Sequence, residues 1–135
     1  MNDIHKAAGI IIQNRKLLVE RSIGKEFFIS PGGSIEEGET PETCLIRELH
    51  EEFTIKVQES DLEFFGEFTS EAVNHPGRMV HLKVFVVTQW ESEPTPSSEV
   101  EELAWITSAP PRGMKLGSIF AHEILPRLKA LNLID

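Results

Sequence analysis

Glu48, Glu51 and Glu52 lie within five residues of one another, beside Arg47 and downstream of Glu39. Carboxylates gathered this closely can hold a hard divalent cation, because such ions prefer oxygen ligands. Thr40-Pro41 predicts a helix over this segment, with a hydroxyl N-cap followed by proline at the first helical position. At about 100° per residue, Glu51 falls about −60° from Glu48 and Glu52 about +40° from it. Leu45, Leu49, Phe53 and Ile46 fill the neighbouring arc, at roughly 60° to 160° on the same scale. Cys44 falls near the carboxylates, at about −40°, where a small side chain leaves room. The plain alternative is a glutamate-rich solvated helix. Against it, Glu48 and Glu52 stand at i and i+4, where like charges repel by a few tenths of a kcal/mol. They also occupy the half of the helix whose dipole disfavours anions. A bound cation removes both costs.

The segment Gly33–Ile55 resembles the signature of the Nudix hydrolases, Gly-x5-Glu-x7-Arg-Glu-U-x-Glu-Glu-x-Gly-U, where U is aliphatic. Gly33, Glu39, Arg47, Glu48, Leu49, Glu51, Glu52 and Ile55 match in register, and Thr54 stands where the family has glycine. A left-handed conformation costs a β-branched residue roughly 1–2 kcal/mol, so Thr54 is expected to end the helix with other backbone angles. The resemblance implies an α/β fold, a Nudix-like α/β/α sandwich with a mixed β-sheet. It implies hydrolysis of a nucleoside diphosphate linked to a further group, with Mg2+ as the usual ion and Mn2+ as an alternative. Residue by residue, it implies Glu48, Glu51, Glu52 and the backbone carbonyl of Gly32 as metal ligands. Glu48 is the first candidate for activating water, while Gly33, Glu39 and Arg47 support the loop and orient the ligands. Similar enzymes draw a further glutamate from a loop shortly before a tryptophan. Of Glu99, Glu101 and Glu102 ahead of Trp105, Glu99 is chosen, because it ends the Pro-Thr-Pro-Ser-Ser loop.

The rest of the chain must position these groups. Residues 7–12 and 17–20 read as two strands of a hairpin around Gln13-Asn14-Arg15, and Phe27-Phe28-Ile29 runs into Pro31-Gly32-Gly33. Residues 62–68 read as a strand with an interior glycine, and 79–90 alternate most clearly. A further strand is expected near Ala104–Ile106. Residues 118–131 carry helical spacing, interrupted by Pro126.

At 135 residues, with 40% hydrophobic and 26% charged residues, the chain reads as one domain spanning 1–135. Cys44 is the only cysteine, so an internal disulfide and a cysteine-based zinc site are excluded. No signal peptide or spanning segment is expected, and a cytoplasmic location fits. The net charge of −9 argues against polymeric nucleic acid as a partner. Arg15, Lys16, Arg21 and Lys25 form a local basic exception, accompanied only by Glu20. Arg21 and Lys25 are the substrate-binding candidates, because an arginine fork can bind two phosphate oxygens. Both a monomer and a homodimer remain open.

The dispersed histidines lack metal-ligand spacing, and the serines lack the Gly-x-Ser-x-Gly context of a nucleophile. The substrate expected is a nucleoside or deoxynucleoside triphosphate, cleaved to the monophosphate and pyrophosphate. The side motifs of coenzyme A and NADH hydrolases are missing, as is the tyrosine often found in dinucleoside polyphosphate hydrolases. ADP-ribose or another nucleotide sugar is the alternative substrate, and a non-catalytic nucleotide-binding module is the alternative class.

Overall fold

The computed structural model of the chain describes residues 3–72 and 75–135, so positions 1, 2, 73 and 74 of the expected single domain lie outside the description. Among the described residues, seven strands form two sheets. β1 (Ile4–Ile10) runs inside a four-stranded mixed sheet. It pairs antiparallel with β4 (Gly32–Ser34) and parallel with β6 (Met79–Val87). β5 (Leu62–Glu71) completes that sheet against β6. The second sheet is antiparallel, with β3 (Lys16–Ser22) between β2 (Ile12–Gln13) and β7 (Val100–Ile106).

Side chains alternate between the faces of a strand, and two apolar cores result. Ala7, Ile11, Leu18, Phe85 and Val87 pack with Leu45, Leu49 and Phe53 of α1 (Pro41–Phe53). Ala8, Ile10, Leu17, Val19, Leu82 and Val84 pack with Ile124, Leu125 and Leu128 at the C-terminus. The helices thus cover opposite faces of the β-structure, giving the expected α/β/α sandwich.

The turn falls where the sequence places it, but the hairpin is shorter than expected: only Ile12–Gln13 pair with Lys16–Leu17, while residues 7–10 run in the other sheet against β4 and β6. Asn14 and Arg15 both have positive φ, 53° and 61°, the pattern of a two-residue turn whose twist matches that of its strands. Arg15 then ties the chain end to this turn, with its guanidinium 2.5 Å from Asp135 Oδ1 and 2.7 Å from Asn132 Oδ1. One member of the basic group is therefore spent on structure. The C-terminal helical stretch is split: Phe120–Ile124 form a wide π-turn and Leu125–Ala130 form α2. Pro126 has no N–H to donate one turn back, so the ladder loosens immediately upstream.

Helix α1 begins as expected: Thr40 accepts a hydrogen bond from the Thr43 N–H at 3.0 Å, and Pro41 opens the helix. Its end corrects the expectation for Thr54. This residue takes the left-handed conformation, φ 58° and ψ 20°, that glycine adopts in the family pattern. The reversal directs Ile55 into the core, where it is fully buried, and burying such a side chain contributes roughly 1.5–3 kcal/mol. That gain is large enough to offset the local cost of the backbone angles. Thr54→Gly is therefore expected to raise the melting temperature by a few degrees, the backbone relief outweighing glycine's extra unfolded-state entropy. Calorimetry decides this, and a lower melting temperature counts against it.

Candidate active site

The Pro31-Gly32-Gly33 segment, the glycine loop, enters the short strand β4 and lies between β1 and α1. Gly32 must be glycine for packing reasons, since a Cβ there would overlap the carbonyl oxygen of Ala7. At Gly33 a Cβ would overlap the Glu48 carboxylate. The pair of glycines therefore seats the loop against β1 and lets Glu48 lie against the loop. The Gly32 N–H donates to Glu52 Oε1 at 3.3 Å.

Arg47 organises the helix side. Its Nε donates to Glu39 Oε2 at 2.7 Å, and its Nη1 donates to Glu48 Oε1 at 2.9 Å and Glu51 Oε2 at 3.3 Å. Its Nη2 reaches Glu39 Oε1 at 3.0 Å and the Ser34 carbonyl at 3.3 Å. Glu39 also accepts from the Glu36 N–H at 2.9 Å. These bonds, Arg47's foremost, hold its carboxyl down to about 2. Arg47 therefore links the loop to the helix, and Glu51, more exposed than Glu48, sits at the rim. Cys44 packs beneath, its Sγ 3.4 Å from the Ser34 carbonyl, and burial pushes the thiol up to about 11.

The loop before β7 is fixed to the end of α1. The Thr95 N–H donates to the Phe53 carbonyl and the Ser97 N–H to the Glu52 carbonyl, while the Glu99 carbonyl accepts from the Ile23 N–H. The helix-end carbonyl of Glu52 is thereby satisfied, and that of Phe53, which also accepts from the Thr54 hydroxyl at 2.6 Å, gains a second donor. Glu99 comes into electrostatic range of Glu52. Glu101 and Glu102 go elsewhere and pair with Arg21 at 3.0 and 3.1 Å.

Arg21 also donates to the Lys25 carbonyl at 3.1 Å and lies over the Phe28 ring. Arg21 and Lys25 do share a shallow cleft with Lys115. The Arg21 fork is turned towards two carboxylates, so a phosphate would have to exchange with them.

Glu20 is the residue that sequence reasoning missed, having counted it only as an acid among basic neighbours. It is 1% exposed, and its Oε2 has no hydrogen-bond partner among the described residues. The available signal was its position: Leu18 faces the α1 core, and a residue two further along the strand faces the same way. Burial, with Glu48 and Glu99 adding repulsion, pushes the Glu20 carboxyl up to about 8. Burial, with Glu20 and Glu48 nearby, pushes Glu52 up to about 9. Glu48 is also raised by burial, opposed by Arg47.

Among the described residues no three acidic or histidine side chains converge at coordinating distance as they stand; Arg47 and the Gly32 N–H hold Glu48 and Glu52 instead. The donor set nonetheless fits a hard divalent cation. It consists of carboxylate oxygens, one of them buried without a partner, beside a glycine that leaves Glu48 room.

Comparison with known proteins gives the family and the fold. The chain matches the NUDIX domain over residues 3–126. It is 36% identical over 97 residues to an 8-oxo-dGTP diphosphatase of Proteus vulgaris, covering 68% of this chain and 82% of that one. It is 34% identical over 99 residues to an 8-oxo-dGTP diphosphatase of Escherichia coli K12, covering 70% and 73%. Among solved structures, the E. coli ORF135 protein superposes with a TM-score of 0.78 at 24% identity, covering 98% of this chain and 92% of that one. The MutT structure from Aliivibrio salmonicida and Vibrio cholerae work gives 0.75 at 23%, covering 97% and 99%. These two show the fold. The chain belongs to the Nudix family of pyrophosphohydrolases, whose members generally use a divalent metal.

The raised carboxyls predict a pH dependence. A carboxyl raised by folding stabilises the protein below its unfolded value, and that contribution is lost as pH rises through the folded value. Metal-free protein should therefore lose stability progressively from about pH 5 to pH 9, through the interval set by Glu20 and Glu52. Glu52→Gln should flatten this slope. Equal slopes for mutant and wild type, in melting curves with chelator, would remove the premise.

Proposed function

We propose that the chain hydrolyses a nucleoside or deoxynucleoside triphosphate to the monophosphate and pyrophosphate, with Mg2+ as its ion. The observation that carries this reading is a cavity of about 260 Å³ directly beside the glycine loop. Its lining includes Gly32, Gly33, Ile29, Val80, Leu82 and Phe120, an apolar slot suited to a flat base. Ser30 also lines it, with a buried hydroxyl that has no partner among the described residues and is available to a polar base edge. A base seated there would carry its phosphates towards Glu48 and Glu52. A larger cavity of about 650 Å³ lies along Ile46, His50, Lys56 and Trp90; the clustered carboxylates line neither cavity, but only the smaller one includes Gly32 and Gly33, against which Glu48 and Glu52 lie. The chemistry favours the smaller one.

Glu48, Glu51, Glu52 and the Gly32 carbonyl would hold the ion, with Glu99 approaching from its loop. Bound Mg2+ supplies neutralisation of the pyrophosphate charge, polarisation of the phosphorus–oxygen bond and a lowered water pKa. Glu48 accepts the proton of the attacking water, and Arg47 sets the orientation of its carboxylate. Arg21 and Lys25 would bind the outer phosphates only by exchanging Glu101 and Glu102 for them at the Arg21 fork. Water adds across the phosphoanhydride, leaving the monophosphate and pyrophosphate. The relatives named 8-oxo-dGTP diphosphatases support a triphosphate substrate and make 8-oxo-dGTP the first compound to assay. A cytoplasmic location belongs to the same reading.

The test is a panel of triphosphates, ADP-ribose and nucleotide sugars, assayed with Mg2+ for pyrophosphate and monophosphate. Pyrophosphate release from a triphosphate is expected. Cleavage of ADP-ribose alone would overturn the substrate, and no cleavage of any compound would favour a binding module.

A further inference from the structure

Glu20 has no role in the Nudix signature, yet its burial demands a partner. An isolated carboxylate taken out of water costs several kcal/mol unless it is paired or neutralised. Its neighbours do not pair it. Its own N–H and carbonyl are consumed by Ile29 in both directions. The adjacent Arg21 is engaged by Glu101 and Glu102. Lys6 attracts it, but less than Glu48 and Glu99 repel it, and makes no ion pair with it among the described residues. Oε2 is left with no hydrogen-bond donor among the described residues.

The strand register says where this carboxylate is directed. Leu18 of β3 and Leu103, the cross-strand partner of Glu20, both pack into the core beneath α1. Glu20 follows Leu18 by two residues and so shares that face, close to the helix end that carries Glu48 and Glu52. The main-chain bonds to Ile29 tie the same point of β3 to the segment entering the glycine loop. A rigid strand therefore presents a carboxylate to the cluster from the side opposite the helix.

We propose that Glu20 is an additional carboxylate ligand of the divalent cation site, supplied by β3 alongside the ligands of α1 and the glycine loop. This rests on the metal-dependent reading of that cluster. It explains why an acid with no protein partner stands in a buried strand position: its partner is the ion. It also gives the site a donor on regular secondary structure, which holds its geometry more firmly than a loop does.

Mn2+ binding to the full chain, followed by the electron paramagnetic resonance signal of free Mn2+, tests the assignment without substrate. Glu20→Gln keeps the side-chain shape and removes the charge, and should weaken Mn2+ binding at least about tenfold. Its melting temperature in chelator should rise, while the further rise on adding Mn2+ should shrink relative to wild type. Glu20→Asp, which withdraws the carboxylate by one methylene, should fall between the two and serves if the glutamine variant does not fold. Wild-type Mn2+ affinity in a folded Glu20→Gln, or in Glu20→Asp where it stands in, overturns the proposal while leaving the metal site itself intact. Failure of the wild-type protein to bind Mn2+ would instead overturn the metal reading, and this assignment with it.

Discussion

Glu52→Gln should lower turnover by at least about 100-fold while the domain stays folded and, without metal, melts at a higher temperature. The activity loss follows from charge: an amide of the same shape cannot give a hard cation the anionic oxygen it prefers, and transition-state charge is then poorly compensated. The stability gain follows from the surroundings. Glu52 is pushed up to about 9 by burial first, then by Glu20 and Glu48, so in the absence of an ion its charge is a burden. The hydrogen bond from the Gly32 N–H survives the substitution, because the amide oxygen can accept it. Steady-state kinetics at saturating Mg2+ and melting curves in chelator give both numbers. Full activity would remove Glu52 from the site, and a lower metal-free melting temperature would show that its charge is compensated in a way the present contacts do not contain.

The opposite signs of these effects bear on how the site could be read from sequence. The helix carboxylates were legible because three like charges at helical spacing violate local electrostatics, and such violations need a compensating partner. Thr40-Pro41 was legible as a start because capping is local chemistry. The alternation in Met79–Val87 was legible because one period decides it. Thr54 was misjudged for a tertiary reason: the pull of Ile55 into the core, enough to offset a backbone preference, is not written in the two residues themselves. The π-turn at Phe120–Ile124 was hidden similarly, since Pro126 announces a break but not how the chain absorbs it. Glu20 escaped because its meaning depends on which face of β3 meets α1. Arg21, chosen as a phosphate-binding candidate, is held by Glu101 and Glu102 across the strand pair, a register that only the fold reveals.

Gly32 and Gly33 are adjacent and identical, yet replacing each with alanine should produce different failures. At Gly32 the added Cβ meets backbone, the carbonyl oxygen of Ala7 and the Cα of Ala8, and neither can move without parting β4 from β1. Its φ of 154° is also one that residues with a Cβ rarely adopt. Gly32→Ala should therefore act on the fold, costing on the order of 2–3 kcal/mol and lowering the melting temperature by roughly 5–10 °C. At Gly33 the added Cβ meets the Glu48 carboxylate, the far end of a flexible side chain, which can swing away. Gly33→Ala should therefore leave the melting temperature nearly unchanged and displace Glu48 from its place between Arg47 and the loop. A displacement of about 1 Å in a reacting constellation can cost on the order of 10²-fold in rate. Mn2+ affinity should fall in step with that rate. Calorimetry, Mn2+ titration and kinetics on the two variants separate these outcomes. If Gly33→Ala kept wild-type activity, the close seat of Glu48 against the loop would have no part in the chemistry; if Gly32→Ala kept wild-type stability, the contact with Ala7 would not be what fixes the loop.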